Sequence, residues 1–400
     1  MTPEPRPYDP HPFDALREDD LRHPDSAKWN FYPPEVLPLW VADMDFPVAP
    51  EITAALHARL SRSIGYSMGG EPGLLDVLQA RHVLEGREHV WLLPGVVPGL
   101  YASVLALSAP GDEVITHTPI YPPFLGAIEN QGRVARLAPL LQGESGWEID
   151  WDALEAAVTP AARVLMLCSP HNPSGRLWSR PELERLAEFA LRHRLWVVAD
   201  ELHADLTLEG EFIPFARLSP DIARRTVTLS GPCKAFNTAG LPIGAAFSAN
   251  AALIARLQRA ALGLMGHPSA LSIEMWRAAL EHGGPWLEGT LAYLRGNRDF
   301  LAAELARQLP EVHFAPPQAT YLAWLDFRAF SWAEGPHLFA LERAKVGLND
   351  GATFGPGFEG FLRLNFATSR PLLGEAVRRL AEAARAHAAE HPPQQRMAKS

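Results

Sequence analysis

The stretch "RVLMLCSPHNPSGRLWSRPELERLAEFALRHRLWVVADE", residues 163–201, decides how this chain folds. It opens with a short apolar run that stops at Ser169 and Pro170. It closes with a second run, Leu195 to Ala199, that stops at Asp200 and Glu201. Between them Leu183, Leu186, Ala187 and Ala190 recur at helical spacing. Strand, helix, strand in this order predicts a parallel pair joined by a crossover helix, and runs that are apolar throughout predict strands buried on both faces.

The same rhythm extends outward. "VWLLPG" (90–95), "EVITHTP" (113–119), "TVTLSG" (226–231) and "IGAAFSA" (243–249) are further short apolar runs closed by Gly, Pro or Ser, with helix-like stretches between most of them. The fold class is therefore α/β, with a mostly parallel sheet and helices on both faces. After about residue 285 the pattern changes. A long helical stretch, "LEGTLAYLRGNRDFLAAELARQL", leads to the strand candidate "ATYLAWLDF" (319–327), another helix, "GFLRLNFA" (360–367) and a final helix from about Leu372. This order predicts a smaller α+β domain over 286–390, beside a large domain over 48–285. Residues 1–47 read as an arm that packs with the smaller domain, and 391–400 as a disordered tail.

Four hundred residues are too many for one simple core, which agrees with this division. A formal net charge of -10 argues against a nucleic-acid binder. Two cysteines, Cys168 and Cys233, are too few for a disulfide framework or a metal cluster and read as reduced, packed thiols. The N-terminus does not resemble a signal peptide, and no run reaches the ~18 apolar residues of a membrane helix. The expectation is a cytoplasmic enzyme with no membrane or nucleic-acid partner and no metal.

In open parallel sheets, ligands gather beyond the carboxyl ends of the strands. After the first run comes "PGVVPG", a turn opening a helix whose N–H groups at Val96 and Val97 suit a phosphate. Tyr121 follows the second run and Asn172 the third. Asp200, Glu201 and His203 follow the fourth, and Ser230 and Lys234 the fifth. Each has a bland reading as a turn, a cap or a packed side chain; together they converge on one edge. The lysine is unusual in its own right. The chain has 32 arginines and four lysines; Lys28 and Lys399 lie near the ends, Lys345 in a surface run, and Lys234 among Ser, Gly, Pro, Cys and Ala. A lysine amine loses its proton and attacks a carbonyl, whereas a guanidinium stays charged. A phosphate site, an aromatic face, an acid, an amide donor and an isolated lysine are the set that pyridoxal phosphate needs, with the lysine as Schiff-base amine.

These residues resemble the fold type I pyridoxal-phosphate enzymes, the aspartate aminotransferase superfamily. "SPHNPSGRLWSRPEL" (169–183), "VVADELHADL" (197–206) and "LSGPCKAFNTAGLPIG" (229–244) are similar to its Asn-Pro-x-Gly, aspartate and lysine segments. The resemblance implies a seven-stranded sheet in the large domain. By it, Lys234 carries the cofactor, Asp200 pairs with the pyridine nitrogen, Asn172 binds the ring oxygen and Tyr121 stacks on the ring. Val96, Val97 and Ser230 hold the phosphate, and Tyr66, in "SIGYSMGG", reaches the phosphate of the neighbouring subunit of a homodimer. Arg363 clamps the α-carboxylate of a small amino-acid substrate.

Two departures bear on the branch. His203 stands where most such aminotransferases have Tyr, and Pro242 follows Gly240 and Leu241 where many have an Arg on the phosphate. With "PLWVADMDFPVAPEI" (38–52), they resemble the cystathionine β-lyase-like C–S lyases. Without that resemblance, Asp43 and Asp45 would read as turn or capping residues. The resemblance implies β-elimination from cystathionine or a cysteine-type substrate; the alternatives are a class I/II aminotransferase and a regulator that keeps the enzyme fold.

Overall fold

The computed structural model describes residues 11–65, 72–143 and 146–390. Seven strands form the main sheet: β1 (Val90–Leu93), β2 (Glu113–Thr118), β3 (Val134–Pro139), β4 (Ala162–Cys168), β5 (Trp196–Asp200), β6 (Thr226–Ser230) and β7 (Gly244–Phe247), in the order β1-β7-β6-β5-β4-β2-β3. All neighbouring pairs are parallel except those of β7, which runs antiparallel to β1 and β6.

Alternation along the strands explains the two-sided burial. Leu165, Leu167, Val197 and Ala199 pack on one face with Leu183, Leu186 and Ala190 of helix α1 (Arg180–Arg192). Val164, Met166, Val198 and Val227 pack on the other with Leu100, Val104 and Phe124. Helix α1 starts where the chemistry says it should: Ser179 and Glu182 form a capping box. Two sequence readings change. The edge strand β3 was not among the runs read as strands, because its exposed Val134 and polar neighbours break the apolar pattern. The run at 243–249 lies antiparallel, so it brings its start, Gly244, to the edge where the parallel strands end.

A second sheet follows, antiparallel throughout: β8 (His313–Phe314), β9 (Leu322–Asp326), β10 (Asn349–Asp350) and β11 (Phe361–Asn365), in the order β8-β9-β11-β10. Helix α2 (Gly284–Gln308) and helix α3 (Arg370–Glu390) pack with it in one apolar cluster. The N-terminal residues join the same cluster. Phe13 stacks on Phe46 with centroids 4.1 Å apart and meets the edge of Tyr293 at 5.3 Å. Leu37–Pro38 pairs in parallel with Val346–Gly347. Among the described residues, no helix is long and apolar enough to cross a membrane.

Candidate active site

Where β1, β4 and β5 end, a cavity of about 190 Å³ opens. Seven of the residues singled out from sequence line it directly: Val96, Val97, Tyr121, Asn172, Asp200, His203 and Lys234. Ser230 ends β6 at the same edge but is not on the cavity wall; its hydroxyl donates to the Glu201 carbonyl at 3.4 Å. Tyr66 lies outside the described residues.

Local structure aims each group. Gly95 precedes the helix Val96–Leu107 with φ +148, a conformation that favours glycine, and no side chain caps that helix. Its first amides are left for a ligand, and a helix N-terminus suits a phosphate. Gly244 lets the lysine segment approach, because a Cβ there would meet the Val96 nitrogen at 3.1 Å. Asn172 is buried, and its Oδ1 accepts from Arg363 Nη1 at 3.0 Å, which leaves its NH₂ as donor. Asp200 accepts from the Leu202 N–H at 3.0 Å. Burial pushes the Asp200 carboxyl up to about 6 against that bond and the charge of Lys234, so a cation placed beside it would be welcome. His203 is neutral at physiological pH, with burial first and then Lys234 and Arg363 pulling it down to about 3. Its Nδ1 is buried and has no hydrogen-bond partner among the described residues.

Lys234 Nζ donates to the Ala42 carbonyl at 2.7 Å. That contact shows what the Trp40–Phe46 stretch does. The Trp40 carbonyl accepts from Arg363 at 3.2 Å, the Val41 carbonyl from Asn365 at 2.8 Å, and the Ala42 carbonyl also from Tyr321 at 3.0 Å. Asn237, in the lysine segment, holds the far end: its Oδ1 accepts from the Met44 N–H, and its Nδ2 donates to the Met44 and Phe46 carbonyls. Asp45 is neither a turn nor a capping residue. It sits in a buried ion pair with Lys28 at 2.9 Å and accepts from Trp29 Nε1 at 2.8 Å. Lys28, set aside in sequence as near the chain end, is thus a core residue; its rarity was the available signal. Cys168 and Cys233 are free thiols, as expected from the sequence; Cys168 is buried in a core cluster, and both also line the cavity. Tyr321 and Asn349 carried no sequence signal.

Arg363 is buried on β11 with its guanidinium 5.1 Å over the Phe354 ring. Among the described residues its hydrogen-bond partners are all neutral: Asn172 Oδ1, the Trp40 carbonyl and Asn349 Oδ1. Its Nε is buried without a partner. A buried cation with no carboxylate partner among the described residues suits an anion.

The family model for aminotransferase class I and II matches residues 68–380. The chain belongs to this family. Cystathionine beta-lyase PatB of Bacillus subtilis (strain 168) is 39% identical over 372 residues, covering 89% of this chain and 95% of that one. Cystalysin from Treponema denticola, whose crystal structure contains a pyridoxal 5'-phosphate cofactor, matches with a TM-score of 0.89 at 29% identity, over 94% of this chain and 99% of that one. Arginine–pyruvate transaminase AruH of Pseudomonas aeruginosa is 33% identical over 359 residues, covering 87% and 89%. The cavity fits the family's cofactor: an uncapped helix N-terminus for the phosphate, a buried acid short of a cation, an unpartnered histidine nitrogen and a reachable lysine share one wall.

Behind Asp200, Glu201 is buried and accepts from the Phe215 N–H at 2.9 Å. Burial pushes it up to about 8 from its ordinary 4.5, with Asp200 adding to the rise and Phe215 and Arg217 opposing it. Between those values the folded protein keeps a proton that the unfolded chain has lost, so Glu201 costs stability increasingly as pH rises through this window. Glu201→Gln keeps the acceptor and removes the charge. Its melting midpoint is expected to exceed the native one at pH 8.5, with the gap closing toward pH 4.5. A gap that does not change with pH would contradict the burial of an ionisable group here.

Proposed function

We propose that the protein is a pyridoxal-phosphate-dependent C–S lyase acting on cystathionine or a cysteine-type amino acid. With water, the reaction yields a thiol, pyruvate and ammonia. When bound, the cofactor draws electrons from the substrate α-carbon into its ring. Lys234 is the amine for its aldehyde, Asp200 holds the proton on its ring nitrogen, and Tyr121 faces the ring. The first amides of Val96 and Val97, with Ser230 nearby, take the phosphate, and the Asn172 NH₂ with His203 takes the ring oxygen. The partner's copy of Tyr66 completes the phosphate site in a cytoplasmic homodimer.

Arg363 binds the α-carboxylate and so fixes which bonds of the α-carbon face Lys234. Lys234 then removes the α-proton as general base, and the C–S bond at the β-carbon breaks to release the thiolate. The observation that favours elimination over transamination is the Trp40–Phe46 stretch. Its sequence resembles the lyase branch, and its carbonyls meet both Lys234 and Arg363, which puts that stretch against the site. The 39% identity to PatB, against 33% to AruH, points the same way.

The test is incubation of the purified holoenzyme with cystathionine and no added keto acid, with assays for pyruvate and free thiol. Both are expected in equal amounts. Turnover only on supplying a keto acid would instead establish a transaminase.

A further inference from the structure

We propose that Asn349 is a positioning residue for substrate recognition, holding the Arg363 guanidinium with a neutral amide so that its charge is left for the substrate. The inference rests on the reading of Arg363 as the α-carboxylate contact.

The cross-strand register places Asn349 directly opposite Arg363, with Trp324 opposite on the other flank. A guanidinium has five N–H donors. Arg363 Nη2 donates to Asn349 Oδ1 and to the Trp40 carbonyl, and Nη1 donates to Asn172 Oδ1. Three neutral acceptors and the Phe354 face thus fix the plane, while Nε stays unpartnered and buried. The next residue on the strand is an acid, but successive side chains point to opposite faces. Asp350 accordingly turns away and accepts from the Ala352 N–H at 3.0 Å. A shift of one residue would put a carboxylate on the guanidinium, where it would pair bidentately and compete with the substrate's own. The order Asn-Asp, not Asp-Asn, therefore keeps the site open to an anion. Asn349 touches the guanidinium and not the substrate, so its effect should fall on carboxylate affinity and leave the rest of the site alone.

L-Alanine, which has no β-leaving group, and L-alaninamide, which lacks the carboxylate, separate these effects when titrated into the holoenzyme with cofactor absorbance as the readout. The native enzyme is expected to bind alanine far more tightly than alaninamide. Asn349→Asp is expected to weaken alanine about 100-fold, toward the upper end of what a hydrogen bond to a charged group is worth. Alaninamide should change by less than about threefold, within the usual context dependence of a neutral contact. Asn349→Ala should weaken alanine about tenfold, the scale of one hydrogen bond to a charged group. Native-like alanine binding by Asn349→Asp overturns the inference, as does equal weakening of both ligands in either variant. If Asn349→Asp does not fold, Asn349→Ala decides by the same selectivity. If the native enzyme shows no preference for alanine, the Arg363 reading fails, and this inference with it.

Discussion

Lys234→Ala is expected to lower pyruvate release from cystathionine by about 10⁴-fold, the upper end of what a general base supplies. It should also abolish the absorbance near ~420 nm expected of the bound cofactor. The expectation follows from the surroundings of Lys234. Nζ meets a backbone carbonyl at 2.7 Å, on a segment held at both ends, with Asp200 and His203 on the same cavity wall. Arginine at this position would stay protonated and so could not take a proton from carbon. An alanine variant that retains more than a hundredth of native turnover would remove Lys234 from the chemistry.

Asp200→Asn should come second, with turnover falling about 10²- to 10³-fold, the range for removing one preorganised electrostatic partner. The substitution keeps the size of the side chain and an oxygen for the Leu202 N–H, so its melting midpoint should stay near the native one. Only the charge goes. Burial already holds this carboxyl up at about 6, and a protonated ring nitrogen alongside would offset that cost. A variant with native turnover would show that the cavity does not use this carboxylate as a counter-ion.

The parallel core was legible because burial on both faces leaves continuous apolar runs, as from Leu195 to Ala199, and Gly, Pro or Ser marks where they stop. β3 was not, since an edge strand needs no apolar face on its open side. The cavity residues were legible for a related reason. Strands of one parallel sheet end at one edge, so Tyr121, Asn172, Asp200 and Lys234 were bound to gather even though they lie far apart in sequence. Lys28, Tyr321 and Asn349 could not be found this way. Lys28 and Asp45 pair because the arm folds back on itself, Tyr321 reaches Ala42 across 279 positions, and Asn349 meets Arg363 only through the register of β10 on β11.

From sequence alone, then, this protein's α/β class and the edge where the candidate residues gather were determined, with Lys234 marked as the amine suited to a carbonyl, because all three follow from local apolar patterning and residue chemistry. The tertiary structure alone decided how the candidate groups are held. The carbonyls of Trp40 and Ala42 meet Arg363 and Lys234, and a neutral Asn349 faces the guanidinium while Asp350 turns away. Backbone carbonyls are the same in every residue, and Asn349 and Arg363 become partners only when distant strands pair, so neither contact can be read from the local pattern.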